Sequence, residues 1–567
     1  MRRALGIVVV LVCALQILPA LAGPVVGVGE AGPDCSPEAT SSLAYGCENL
    51  QIAVNVDGAL LDATLFVPNS ATAEDPAPAI LMTHGYGGWH RSAGDIASAA
   101  RLASRGYVVL SFTSRGFGRS EGNVQLQAPE WEVRDAFDLI AWLADPGNTG
   151  GRVLLDGPGD PRLGMFGGSY AGGIQLLVAA GDQAGLLDAI TPQVTWNDLR
   201  YSLAPNGATH HAWIDLLFVS GKYSGHFGPL GSAPPPVVST DGVPVDQDIQ
   251  VLTSYVANDN VEMPVAYSDG STSTYEYLAR RSVTNDAAAI TAPTLLIQGQ
   301  HDSLFTVTEA LRTFDLISSR DKKLVVFSGG HGYADLEGER AMINDRVDSW
   351  FDRHLGEDPE TDTGPQIETW RPWVDGANFA AATPAEALAP AALDGPASAT
   401  LVNLVAPTAS SETTNFQQQT NSEAVELLPG VADNWWTTST AQDTYLFGAP
   451  QVRFHLEAAA PEAIVFVRLW DTSEPEWQLI HRLVAPVRAR GTSAEFCEGY
   501  LPEPLDPAAS VDADVCVDLP ALTYLVPAGG SLAVTIGTTN VTHMGSRIPG
   551  PYDVSDVALE LPIVPAF

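Results

Sequence analysis

Lysine is nearly missing from this chain of 567 residues, occurring only at Lys222, Lys322 and Lys323. Lys and Arg total 28 against 67 Asp and Glu, a formal net charge of −39. A nucleic-acid binder needs clustered cations to neutralise phosphates, so that class is excluded. A basic helix lying on a membrane surface is excluded for the same reason. Charged residues make up 17% and hydrophobic residues 45%. The second figure leaves ample material for a packed core and argues against a disordered chain. Past the N-terminus no run approaches the ~20 apolar residues that span a bilayer. The phosphate-loop pattern G-x-x-x-x-G-K-[ST] is absent, as is any repeat of 20–50 residues.

The basic residues that open the chain belong to an expected export signal. Arg2 and Arg3 precede the apolar run Ala4 to Leu18, and Ala20-Leu21-Ala22 suits a small-residue cleavage site. A membrane anchor is the competing reading, but the run is too short to span. The mature protein is therefore expected to be secreted, with no stable membrane insertion. Cys13 lies inside the run. The other cysteines are Cys35, Cys47, Cys497 and Cys516. Four cysteines allow three pairings, and proximity favours Cys35 with Cys47 and Cys497 with Cys516. Zinc is the alternative, but no C-x-x-C spacing or nearby histidine pair supports it.

Strands and helices alternate from Gln51 to about Gly356. PAILMT (78–83), YVVLSFT (107–113), 163–166, 293–298 and 324–327 read as buried strands, and 93–104, 130–144, 171–180, 307–317 and 337–354 as helices. That alternation implies a mostly parallel sheet covered by helices on both faces. Residues 194–285, rich in aromatics and histidine, break the rhythm and read as a helical cap insertion. Past Leu401 short alternating strands, 451–456, 463–469, 477–483 and 531–536, suggest an all-β jelly roll. The expected division is signal 1–22, N-terminal segment 23–48, catalytic domain 49–364, connector 365–400 and β domain 401–567.

Gly167-Gly168-Ser169-Tyr170-Ala171-Gly172 follows a strand and opens a helix. A serine on such a turn is held in a strained elbow that lifts its hydroxyl above the sheet. Asp302 and His331 each lie just past the end of a later strand, and Ser169, Asp302, His331 is the chain order of α/β-hydrolases. His331 is the candidate base, since imidazole changes charge near neutral pH. Asp302 would orient it. The Tyr170 backbone N–H is a candidate oxyanion donor, and the loop His84-Gly85-Tyr86-Gly87-Gly88 faces the elbow. His301 is a decoy beside Asp302, and His84 reads as structural. His210 and His211 could line a pocket or sit in the core. In Ser114-Arg115-Gly116-Phe117-Gly118-Arg119-Ser120, Arg115 reads as a brace, and Asp135 and Asp138 as a bracing or solvated face.

These residues resemble the Xaa-Pro dipeptidyl-peptidase and cocaine-esterase family of serine hydrolases. The carriers are the serine motif, Arg115 to Ser120, and in the C-terminal part GAPQV (448–452), VFVRLWD (465–471) and YLVPAG (524–529). The resemblance implies an α/β-hydrolase with a C-terminal jelly roll, and the Tyr86 hydroxyl as second oxyanion donor. It departs where Gly85 replaces the family's usual proline and where Gln300-His301 precedes Asp302. The expected function is ester or amide hydrolysis through an acyl-enzyme, esterase- or acylase-like, on a small ester, amide or short peptide. No cofactor or metal is implied. The alternatives are an Xaa-Pro dipeptidyl peptidase, with Asp198 or Asp215 holding the substrate amine, and a non-catalytic binding protein using the β domain. Residues 23–364 carry 43 acids and 19 bases, and residues 365–567 carry 24 and 7. The negative charge is thus spread over both parts and describes a hydrated surface.

Overall fold

The computed structural model describes residues 35–36, 40, 42–217, 252, 264–267, 269–332, 336–356, 358–376, 378–403, 434–491, 494–495, 505–540, 542–543, 545–546, 548 and 550–567. Apolar runs such as VVLSF and TLLIQG are buried along their whole length, as strands covered on both faces must be. Ten strands form one sheet: β1 (Tyr45–Ala53), β2 (Leu60–Pro68), β3 (Ala79–Met82), β4 (Val108–Phe112), β5 (Leu163–Gly168), β6 (Ala189–Gln193), β7 (Thr294–Gly299), β8 (Lys322–Phe327), β9 (Ile367–Trp370) and β10 (Phe379–Ala381). Their order is β1-β2-β4-β3-β5-β6-β7-β8-β9-β10. From β4 through β9 every neighbouring pair is parallel. The edges are antiparallel, β1 on β2, β2 on β4 and β10 on β9.

Helices cover both faces. On one side α2 (Glu132–Ala144), α3 (Tyr170–Gly181) and α6 (Val307–Leu316) bury Leu139, Ile140, Val178 and Phe314 against the sheet. On the other, α1 (Ala93–Ser104) and α7 (Glu339–His354) bury Ala99, Leu102, Val347 and Phe351. Ser92 caps α1 by accepting from the Asp95 N–H at 3.1 Å. The inserted segment contributes α4 (Leu199–Leu203), a helix over 211–217 and α5 (Thr274–Ala279). Its remaining part, 218–251 and 253–263, lies outside the described residues. So does the expected signal at 1–22.

The β domain packs antiparallel sheets over their own core of Val452, Leu456, Val465, Val467, Val515 and Val534. One sheet joins Ala389–Ala391, Ser398–Asn403, Gly550–Leu561, Gln451–Ala458 and Val511–Asp518. Another joins Asn434–Ser439, Ser531–Gly537, Ala463–Asp471 and Ala485–Ala489. Three expectations need correction. The first sheet strand starts at Tyr45, inside the expected N-terminal segment. The expected connector 365–400 holds β9 and β10 of the catalytic sheet, then two strands of the β domain. The strand expected over 477–483 is two residues long, and a tight turn at Ile480–Arg482 ends it.

The two domains share buried surface. Phe447, Ala521 and Val564 of the β domain belong to the same apolar cluster as the α2, α3 and α6 face. The His210 and His543 rings stack at 4.1 Å across the junction, and burial pushes His210 down to about 3, so both rings meet uncharged. The two described lysines serve as staples. Lys322 Nζ donates to Phe314 O at 2.6 Å, and buried Lys323 pairs with Glu368 and donates to Pro365 O at 2.7 Å. Cys35 and Cys47 form a disulfide, with Cα atoms 5.0 Å apart. Cys516 is disulfide-bonded, while Cys497 lies outside the described residues.

Candidate active site

Ser169 sits between β5 and α3 with φ 57° and ψ −119°. A non-glycine residue there is strained and persists only where its surroundings over-determine it. They do so here. Its N–H donates to Gln193 O at 2.8 Å on β6. Its carbonyl accepts from the N–H groups of Gly172 and Gly173 and from Thr195 Oγ1 at 3.0 Å. A Cβ on Gly173 would lie 2.3 Å from the Trp196 ring, and one on Gly172 would lie 2.8 Å from Gln193 O. Ala171 stands where the elbow usually has glycine. It is tolerated because it faces Gly167, where a Cβ would come within 2.5 Å of it.

His331 Nε2 lies 3.0 Å from Ser169 Oγ, and His331 Nδ1 lies 3.0 Å from Asp302 Oδ2. Asp302 is fully buried. Its Oδ1 accepts from the Leu304 and Phe305 N–H groups at 2.9 Å each, and Oδ2 also accepts from Gln298 Nε2 at 3.1 Å. The rings of Trp213 and Phe305 stand edge-on to the imidazole at 5.2 and 5.1 Å. Trp213 Nε1 donates to Ser303 Oγ at 3.0 Å, which ties the inserted segment to the acid turn.

The turns carrying Asp302 and His331 are bound to each other. The Gln300 N–H donates to Phe327 O at 2.8 Å and the His301 N–H to Gly329 O at 3.0 Å. Buried Glu339, opening α7, accepts from the Ser328 N–H at 3.0 Å and from the Ser328 hydroxyl. A Cβ on Gly299 would lie 2.4 Å from Gly329 O and 2.5 Å from Gly330 O. Gly299→Ala must therefore push the two turns apart. Its expected result is a loss of about 1–3 kcal/mol of stability and a fall in kcat of about 10- to 100-fold. Thermal unfolding and turnover per active site check this, and wild-type turnover would contradict it.

On the opposite side of Ser169 runs the loop after β3. Gly85 brings it beside the elbow, where even a Cβ would make ordinary contact with Ser169 Cβ at 3.9 Å. The Tyr86 ring packs edge-on against Phe117 at 5.3 Å and against Tyr170 at 5.5 Å. Tyr170 occupies the first position of α3, where a helical N–H has no partner within the helix. Its hydroxyl donates to buried Glu132 at 3.3 Å, a carboxyl that burial pushes up to about 7. His84 is fully buried, accepts from the Ser114 N–H at 3.1 Å and is pushed down to about 4 by burial, so it is structural.

The chain matches known proteins in both of its domains. Residues 57–333 match the family model of the X-Pro dipeptidyl-peptidases (S15 family). Residues 432–553 match that of the X-Pro dipeptidyl-peptidase C-terminal non-catalytic domain. The chain belongs to the X-Pro dipeptidyl-peptidase family. A monoacylglycerol lipase of Mycolicibacterium smegmatis is 26% identical over 290 residues, 50% of this chain and 90% of the lipase. An α-amino acid ester hydrolase has the same fold with a TM-score of 0.70, at 16% identity over 95% of this chain and 99% of that one. A CocE/NonD family hydrolase of Staphylococcus aureus gives 0.64, at 15% identity over 92% and 94%. This S15 chain is a serine-type hydrolase with an α/β-hydrolase fold and a C-terminal all-β domain.

The remaining candidates of the S15 chain lie away from Ser169. His301 turns toward the β domain, its Nε2 3.1 Å from His481 Nδ1. Asp198 caps α4 and pairs with Arg200 at 2.6 Å. Arg115 is buried and bidentate to Asp135 at 2.6 and 2.7 Å, with Asp57 at 3.1 Å, which is a brace. Asp138 accepts from the Asn55 N–H and Nδ2 at 2.6 and 2.7 Å. His455, Glu457 and Asp512 are the one group among the described residues whose ligand atoms could share a metal. They lie on the β domain and are partly to well exposed.

Proposed function

We propose that Ser169 is the nucleophile of ester hydrolysis, with His331 as base and Asp302 as its orienting acid. The hydrogen-bonded line from Ser169 Oγ through His331 to buried Asp302, at 3.0 Å in both steps, carries this reading. Ser169 Oγ attacks the substrate carbonyl carbon while His331 Nε2 takes its proton. The oxyanion that forms is held by the Tyr170 N–H and the Tyr86 hydroxyl. The intermediate then expels the alcohol, which leaves with the proton from His331. Water cleaves the acyl-enzyme by the same route and restores the serine. No cofactor or metal enters these steps.

An ester is favoured over an Xaa-Pro peptide by the state of the carboxylates. An exopeptidase of that type must hold a cationic amine beside the nucleophile. Asp198 already pairs with Arg200. Asp215 lies two residues beyond Trp213 in the helix over 211–217. Two residues turn about 200° on a helix. Trp213 faces His331, so Asp215 leaves from the opposite side. The monoacylglycerol lipase relative fits the same preference. Export is supported by the apolar N-terminal run and by the Cys35–Cys47 disulfide, which suits an oxidising compartment.

The test compares short p-nitrophenyl esters with Gly-Pro and Ala-Pro p-nitroanilides. Turnover of the esters, with anilide cleavage negligible, is expected. Anilide cleavage that needs a free amine and is lost in Asp215→Asn would establish the peptidase reading instead.

A further inference from the structure

We propose that His481 of the β domain is a positioning residue that holds the turn bearing Asp302. This rests on the roles assigned above to Ser169, His331 and Asp302. The two residues before Asp302 both send their side chains out of the catalytic sheet and onto one imidazole. Gln300 Nε2 lies 2.8 Å from His481 Nε2 and donates to Thr523 O at 2.9 Å. His301 Nε2 lies 3.1 Å from His481 Nδ1. His481 Nε2 therefore accepts from Gln300 and its Nδ1–H donates to His301, so the 2.9 Å approach of Nε2 to Thr523 O is a contact bridged by the Gln300 amide and not a further hydrogen bond. One ring thus uses both nitrogens to grip two consecutive residues of the acid turn.

The cluster is built to be rigid. Gln300, His481 and Thr523 are all buried, so each hydrogen bond is costly to break. Burial pushes the His481 imidazole down to about 4. At neutral pH it is an uncharged wedge and lends no charge to Asp302. His481 sits at φ 48° and ψ 13° in the turn that ends its strand. Such a left-handed residue costs about 1–3 kcal/mol and persists only where the surroundings demand it. Joining the domains does not demand it. Thr308 Oγ1, in helix α6, accepts from the Ala521 N–H at 2.9 Å and joins them with no such strain, while Asn206 Nδ2 donates to Pro486 O at 3.0 Å from a residue that is itself at φ 46°.

Asp302 is therefore held from two directions. Backbone bonds tie its turn to Phe327 and Gly329, before the base. Side-chain bonds tie the same turn to the β domain. If either set is lost, the carboxylate can drift from the imidazole, and a shift near 1 Å at a catalytic group can cost about 100-fold in rate. The domain matched as non-catalytic would then set the precision of catalysis without touching the substrate.

The experiment measures kcat and KM per active site, titrated with a fluorophosphonate, for full-length His481→Ala, His481→Gln and Asn206→Ala. In His481→Ala, kcat per site is expected to fall about 10- to 100-fold with KM within about twofold. His481→Gln keeps a polar reach toward Gln300 and Thr523 and should recover much of that loss. Asn206→Ala breaks a different interdomain bond and should leave kcat per site unchanged. A purely structural His481 would lower the yield of titratable sites but not kcat per site, and that result overturns the proposal. Should His481→Ala not fold, Gln300→Met removes the Gln300 bonds to the same ring and to Thr523, and a fall in kcat per site with KM held is again expected. Labelling that survives Ser169→Ala would sink the triad, whereas Ser169-dependent labelling with unchanged kcat in the His481 variants sinks only this proposal.

Discussion

Ser169→Ala is expected to lower turnover by about 10⁶-fold, the scale seen when a serine nucleophile is removed from a complete triad. Labelling by a fluorophosphonate should vanish with it. The loss should be chemical and not structural. The Ser169 backbone is fixed by Gln193, Gly172, Gly173 and Thr195, and alanine bears the same strain at φ 57° as serine does. Unfolding temperature should therefore stay close to wild type while activity disappears. Residual hydrolysis would come from oxyanion donors and substrate binding alone. Undiminished labelling would mean a different nucleophile. Ser303 lies on the acid turn, but its hydroxyl is engaged in accepting from Trp213. A stable, unlabelled and inactive Ser169→Ala is the outcome that supports the elbow as the reactive centre.

What the sequence made legible was local. A glycine-flanked serine between strand and helix, and an acid and a histidine one turn past later strands, are marks that neighbouring residues carry. The structure places those three side chains within 3.0 Å of one another in sequence of contact. Apolar runs likewise marked β3, β4, β7 and β8. What was missed is non-local. Gly299 matters only because β8 delivers two carbonyls against it. Trp213 reaches His331 from an insertion whose fold no periodicity disclosed. Glu339 reads as one more acid in a chain of 67 until it is found buried under Ser328. The apolar alternation at 477–483 suggested a strand, but the turn with His481 at φ 48° ends it after Leu479. The boundary at 364 failed for a related reason. β9 and β10 are only four and three residues long, and only the sheet edge they complete identifies them.

Asp302→Asn is expected to cost about 10⁴-fold in kcat, because it would reverse the proton on His331. Asp302 receives four donors on two oxygens: Leu304 and Phe305 on Oδ1, Gln298 and His331 on Oδ2. An amide has one accepting oxygen. Facing its NH₂ toward the Leu304 and Phe305 N–H groups would set donor against donor at a fully buried point, a penalty of about 1–3 kcal/mol for each unmet group. The amide oxygen must therefore stay with the backbone, and the NH₂ must face His331. The imidazole can answer only by accepting at Nδ1, which leaves its proton on Nε2. That nitrogen lies 3.0 Å from Ser169 Oγ, so the base arrives already protonated and cannot take the serine proton. Stability should fall by only about 1–3 kcal/mol, since the two backbone bonds survive and Gln298 Nε2 alone loses its acceptor there. Asp302→Ala leaves those buried donors with no acceptor and should unfold several degrees lower. Measuring kcat and unfolding temperature for both variants separates the two effects. An asparagine variant within tenfold of wild type would show that Asp302 is a structural carboxylate, and the role assigned to His481 would fall with it.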